Sequence, residues 1–162
     1  MMGKFSCVVL GAGGFIGTNL CRRLVLEGFQ VRAFGRTLHF PESLEGVEWT
    51  QGDFGDLANL ASIIRSGDII FHLVHSTTSQ GANLDMLADL KRSVVPSLEL
   101  LNICRTIDIA RIVFISSGGT VYGSGRQIPT SESAPTEPDY RLRRQQADNR
   151  KTSGTLSSPI RS

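Results

Sequence analysis

Phe5-Ser-Cys-Val-Val-Leu-Gly-Ala-Gly-Gly-Phe-Ile-Gly17 opens the ordered part of the chain. A short apolar run that stops at a glycine has the pattern of a buried parallel strand. Beyond the glycines, Leu20, Leu24 and Leu26 mark a helix that ends at Gly28. The three glycines at 11, 14 and 17 each have a separate physical reason. Gly11 can take the positive φ of a tight strand-to-helix turn. Gly14 has no Cβ to hold a pyrophosphate away from the backbone, and Gly17 lets the helix lie close to the strand. A diphosphate would then sit at the helix N-terminus, where unpaired N–H groups and the macrodipole favour an anion. A purely structural glycine turn has the same composition. The strand before it and the helix after it favour the dinucleotide reading.

Working outward, Gln30–Phe34 and Val47–Gln51 read as further strands, the latter closing at Gly52-Asp53. Asp56 is placed to cap a helix whose Leu57, Leu60, Ile63 and Ile64 share one face. Asp68–Val74 is a fourth strand, apolar enough to be buried on both faces. A helical stretch over 84–106 contains Pro96, which predicts a kink or break there. Arg111–Ser116 is a fifth strand. Strands alternating with helices imply right-handed crossovers and a parallel sheet covered on both sides. The expected architecture is an α/β, doubly wound, Rossmann-like parallel sheet in the order 3-2-1-4-5, cut short after about the fifth strand.

Charge is unevenly spread. Lys plus Arg number 17 against 15 for Asp plus Glu, a net +2 that disfavours nucleic acid as partner. Residues 1–138 hold 11 basic and 13 acidic side chains, whereas 139–162 hold six and two. The expectation is one ordered domain over 1–138 and a basic, disordered tail over 139–162. No apolar run approaches the ~18 residues that span a bilayer, and no signal peptide is evident. Cys7, Cys21 and Cys104 are too far apart for a CxxC or Cys/His site, so no metal is expected. They read as small buried hydrophobes in a reducing, cytoplasmic protein.

Four segments carry a family resemblance: Gly11-Ala-Gly-Gly-Phe-Ile-Gly17, Gly52-Asp-Phe54, Phe71-His-Leu-Val-His75 and Ser116-Ser-Gly-Gly-Thr-Val-Tyr-Gly123. In this order and spacing they resemble the extended short-chain dehydrogenases/reductases. More narrowly, they resemble the NAD-dependent epimerase/dehydratase group, which includes the UDP-glucose 4-epimerases. The resemblance covers residues 4–138. It implies that Gly11, Gly14, Phe15, Ile16 and Gly17 hold the pyrophosphate. It also implies that Asp53 accepts a hydrogen bond from the adenine amino group, with Phe54 beside the ring, and that Leu73, Val74 and His75 line the cofactor. From the residues alone, Asp53 also reads as a turn or capping aspartate, and His72 and His75 as core or rim histidines. NAD enzymes usually place an acid at the end of the second strand. Here Arg36 stands there, a guanidinium suited to a 2′-phosphate, which leans the choice between NAD and NADP towards NADP; a solvated surface arginine is the alternative. Expected partners are the dinucleotide and, in an intact relative, a nucleotide sugar. A homodimer is allowed, and neither nucleic acid nor membrane is expected.

The resemblance further implies a Tyr-x-x-x-Lys pair after the fifth strand and a Ser or Thr that orients the sugar hydroxyl. Gly118 stands where that Ser or Thr is usual, leaving Ser117 or Thr120 to substitute. The positions of the tyrosine and lysine hold Leu142 and Gln146, and Tyr140 with Arg144 is two residues early. Arginine does not replace lysine in that role. The expected function is therefore an NAD(P)-binding fragment of a nucleotide-sugar epimerase/dehydratase-like protein, weakly active or inactive. A non-catalytic NAD(P)-binding regulatory or interaction module is the alternative, and a reductase of a small carbonyl a third. Codons of the tail shifted by one base permit Tyr-Gly-Val-Ser-Lys in the family's register, as though one base had been inserted near codon 139. That account requires the codon CTA at Leu142. Sequencing the gene tests it, and any other leucine codon refutes it.

Overall fold

The computed structural model describes residues 6–41, 43–74, 86–117, 121–122 and 128–136. Contacts divide the chain into two compact units, Met1–Ile115 and Ser116–Ser162. The first carries the sheet, and within it β1 (Ser6–Leu10), β2 (Gln30–Gly35), β3 (Val47–Gln51), β4 (Ile69–His72) and β5 (Arg111–Phe114) form five parallel strands in the order β3-β2-β1-β4-β5. This is the expected doubly wound order. Among the described residues of the second unit, the Val121 amide donates to the Ser117 carbonyl (2.9 Å) and the Tyr122 hydroxyl to the Glu132 carbonyl (3.4 Å). The boundary expected at 138/139 and the tail lie outside the described residues.

Strand alternation sends side chains to two cores. Val8, Leu10, Phe34 and Ile70 meet Leu60 and Ile63 of α2 (Leu57–Ile63) and Leu100 and Cys104 of the helix Val95–Ile107 on one face. Cys7, Val9, Val31 and Ala33 meet Cys21 and Leu24 of α1 (Phe15–Leu26) on the other. Each fully buried aliphatic contributes about 1.5–3 kcal/mol, so these two layers hold the unit together. α1 ends as expected: Gly28 takes φ 83°, and the Phe29 amide reaches back to the Leu24 carbonyl (3.0 Å) in a Schellman arrangement. Asp56 caps α2, its carboxylate accepting from the Asn59 amide at 3.1 Å. All three cysteines are buried and free. Burial pushes the Cys21 thiol up to about 12 and, joined by the neighbouring Asp68 charge, the Cys7 thiol up to about 11.

Two expectations need correction. β4 is shorter than 68–74 and alternates between buried and half-buried residues, so its α1 face is only partly covered. β5 stops at Phe114 rather than Ser116. The stretch 84–106 is interrupted just before Pro96, in line with the expected kink or break. Its described part comprises α3 (Met86–Asp89), a π-helical stretch (Leu90–Val94) and α4 (Val95–Ile107). The cause is Pro96 in the first turn of α4, which cannot donate to the carbonyl four residues back and whose ring crowds it. A widened i→i+5 turn accommodates both.

Asp68 leaves the strand because its carboxylate turns inward. Its Oδ1 lies 2.5 Å from Nη2 of Arg32, an ion pair enclosed beneath the sheet. The guanidinium also donates to Ser6 Oγ (2.6 Å) and to the Ile63 carbonyl, while Asp68 Oδ2 accepts from the Arg65 amide (2.6 Å). Desolvation of such a pair offsets much of its Coulomb attraction, and satisfied partners on every side make it tolerable. Asp68→Ala, which leaves the guanidinium buried without a counter-charge, is expected to cost about 3–5 kcal/mol in urea unfolding. The double replacement Arg32→Met with Asp68→Leu should cost much less.

Candidate functional site

The turn between β1 and α1 is fixed from three directions. The Gly11 and Ala12 amides both donate to the Phe34 carbonyl of β2, at 2.9 and 3.0 Å. Thr18 Oγ donates to the carbonyls of Ala12 (3.2 Å) and Gly14 (2.9 Å). Gly17 packs so tightly that a Cβ there would lie 2.5 Å from the Gly11 oxygen and 2.6 Å from Ala12 Cα. Gly11 has φ 81°, as the turn requires. At Gly14 an added Cβ would meet only the Gly11 oxygen, at 3.5 Å, so this glycine faces space.

α1 therefore starts at a bare end. Gly14 is its N-cap and has no side chain to accept from the first amides, and no acidic residue lies in the first turn. The amides of Phe15 and Ile16 have no preceding turn to bond, which leaves donors and a positive dipole end for an anion. The Phe15 side chain itself is 87% exposed.

This end opens on a cleft of about 640 Å³, within the range of cofactor sites. Gly11, Gly13 and Gly14 form one wall, and Phe34, Gly35, Arg36 and Thr37 at the end of β2 form a second. The turn Gly52-Asp-Phe-Gly55 after β3 is a third, Leu73 and Val74 after β4 make the floor, and Lys91, Arg92 and Pro96 close the remaining side. Asp53 takes the turn role read from the sequence, its Oδ1 accepting from the Gly55 amide (2.9 Å), and the residue also lines the cleft. Phe54 is largely buried, with its ring 4.8 Å from that of His72 in an edge-on contact. His72 is a core histidine, 4% exposed, hydrogen-bonded to Ser97 Oγ at 3.1 Å and packed also on Phe114.

Of the expected cofactor residues, Gly11, Gly14, Arg36, Asp53, Phe54, Leu73 and Val74 come together around this cleft. Phe15, Ile16 and Gly17 do not line it with side chains: the first two project outward and Gly17 is packed behind the turn. Ser117 is exposed in the second unit. His75 and Thr120 lie outside the described residues, as do Leu142 and Gln146. Lys91, Arg92 and Pro96 were not singled out as site residues by the sequence; the only signal was a proline inside a helical pattern. Among the described residues no acidic or thiol cluster could hold a metal, and no helix is long and apolar enough to cross a membrane.

The fold and this loop are those of the Rossmann-like nucleotide-binding proteins. The chain belongs to the NAD dependent epimerase/dehydratase family, whose sequence pattern matches residues 7–147. It is 33% identical over 140 residues to UDP-glucose 4-epimerase of Mycolicibacterium smegmatis, covering 81% of this chain and 44% of that protein. It is also 33% identical over 111 residues to 2-alkyl-3-oxoalkanoate reductase of Stenotrophomonas maltophilia, covering 68% and 32%. A crystal structure of UDP-galactose 4-epimerase superposes with a TM-score of 0.69 at 29% identity, covering 83% of this chain and 45% of that one. The chain thus spans less than half the length of these relatives.

Gly17→Val should be destabilising by about 1–3 kcal/mol, the cost of overpacking, because backbone atoms block the new side chain. Gly28→Ala, with open space around it but φ 83°, should cost less; thermal melting of both variants ranks them.

Proposed function

We propose that the chain captures a nicotinamide dinucleotide in this cleft, with NADP preferred to NAD. The uncapped N-terminus of α1 beside Gly11, Gly13 and Gly14 carries the reading. The amides of Phe15 and Ile16 would donate to the pyrophosphate, and Gly14 would let the backbone come close. Asp53, already oriented by its turn bond, would accept from the adenine amino group with its remaining oxygen. Leu73 and Val74 would support the cofactor from below. Arg36 bears on the NADP preference: it lines the cleft where an acid would otherwise bind the ribose 2′-hydroxyl.

When bound, the nicotinamide supplies hydride transfer, which in an intact relative of the UDP-glucose 4-epimerase kind would act on a nucleotide sugar. A tyrosine held deprotonated by a nearby lysine is the base such chemistry needs. This sequence has Leu142 and Gln146 in those positions. The reading is therefore dinucleotide binding with little or no turnover, the behaviour of a binding fragment or a non-catalytic NAD(P)-binding module.

Titration of the purified chain with NADH and NADPH, followed by nucleotide fluorescence, should show saturable binding. Gly14→Glu sets a carboxylate at the pyrophosphate position in open space, so it should abolish binding of both while unfolding within about 0.5 kcal/mol of the parent. Unchanged affinity in that variant would refute the assignment.

A further inference from the structure

His72 is the last residue of β4 and stands behind the cleft rather than in it. Its side chain is buried and absent from the lining, yet the residues around it supply much of that lining. Leu73, part of the floor, follows it in the chain. The ring of Phe54, from the turn after β3, meets the imidazole edge-on at 4.8 Å and 76°. Ser97, hydrogen-bonded to Nε2 at 3.1 Å, directly follows Pro96. A further edge contact, 5.2 Å to the Phe114 ring, reaches the end of β5.

The direction of the hydrogen bonds follows from the donors available. Ser97 Oγ lies 2.7 Å from the Ser93 carbonyl, which can only accept, so the single hydroxyl proton goes there. The Ser97 oxygen must then accept from the imidazole, which places a proton on His72 Nε2. The result is a relay from the sheet into the helix: His72 N–H to Ser97 oxygen, then Ser97 O–H to Ser93 carbonyl. Ser93 belongs to the π-helical stretch whose Lys91 and Arg92 line the cleft with Pro96. Pro96 has no amide proton and so removes a rung from the helix's own ladder at this point. The relay ties the same turn to the end of β4 through side chains instead.

We propose that His72 is a positioning residue for the cleft. Through Ser97 and Ser93 it holds the π-helical wall, and through its ring it seats Phe54, so affinity depends on a side chain that does not touch the ligand. The inference rests on the reading that the cleft holds a dinucleotide. An imidazole suits the place: one edge donates a hydrogen bond while the flat ring fills the space between two phenyl rings. Buried hydrogen bonds linked in series act as a unit, so loss of either link should release the wall. The relay carries no contact to one end of the ligand in particular, and NADH and NADPH should therefore suffer alike.

The test measures NADH and NADPH affinity by nucleotide fluorescence, well below the melting temperature, in the parent, Ser97→Ala, Ser97→Thr and His72→Gln. Ser97→Ala deletes one oxygen and with it both bonds of the relay, and is expected to lose about tenfold in affinity for both dinucleotides. Ser97→Thr keeps the hydroxyl and His72→Gln keeps an N–H donor of similar reach, so both should recover affinity to within about threefold of the parent. Nitrogen NMR of the parent should show the His72 proton on Nε2. A purely structural role would lower the melting temperature of Ser97→Ala and leave the affinity of the folded protein unchanged. That result, equal losses in Ser97→Ala and Ser97→Thr, or a bare Nε2 would overturn the positioning role while leaving dinucleotide binding intact. Failure of the parent to bind either dinucleotide would overturn the reading of the cleft and this inference with it.

Discussion

The close approach of Gly17 to the backbone of Gly11 and Ala12 sets the geometry of everything at the carboxyl edge of the sheet. No other residue fits there, because a Cβ would overlap the Gly11 oxygen and Ala12 Cα. That contact seats the first turn of α1 directly on the end of β1. Thr18 then pins the carbonyls of Ala12 and Gly14, and the Phe34 carbonyl takes up the Gly11 and Ala12 amides. The turn's own polar groups are thus spent on holding its shape, while the amides of Phe15 and Ile16 stay open at a fixed place. A packing constraint produces a directed electrostatic site.

The two ends of the sheet treat charge in opposite ways. At the amino end, Arg32 and Asp68 are withdrawn from water and every ionic contact is made within the protein. Such a pair gains little net stability over apolar residues of similar volume, whereas either member left alone would be costly. At the carboxyl end, Arg36, Lys91 and Arg92 are exposed around a cleft. Charges that remain hydrated can exchange water for a ligand at modest cost, whereas those of the buried pair cannot. The same residue types are thus structural at one end and available for binding at the other.

Much of this was legible in the sequence because its determinants are local. Strand β1 with its glycine turn, the stop at Gly28 and the Asp56 cap each depend on a few adjacent residues, and the parallel order follows from the alternation of patterns. Arg36, Asp53 and Phe54 could be placed because each lies within three residues of a strand end. The Arg32–Asp68 pair was hidden: its members are lone charges in apolar runs, and only the folded register joins them across 36 positions. Lys91 and Arg92 were hidden for another reason. Pro96 announces a disturbed helix, but the form of the disturbance depends on how α4 packs against the core, with Leu100 and Cys104 fixing its inner face. A helix wheel drawn at 3.6 residues per turn assigns the wrong faces upstream of that point.

The cleft also ties ligand binding to the stability of the unit that contains it. Its walls are the β1–α1 turn, the end of β2, the turn after β3, the end of β4 and the π-helical stretch, all within Met1–Ile115. Several of these segments are connections, and connections open more readily than strands. A dinucleotide touching all of them would bind the folded arrangement and not the opened one. By mass action its binding energy is then added to the stability of the very segments that the apolar layers hold least. In such a design the core does not have to make the loops rigid: the two layers around β1, β2 and β4 fix where the walls begin, and the ligand completes their order. On the dinucleotide reading, that division would let binding reside in this unit independently of the groups that carry out the chemistry.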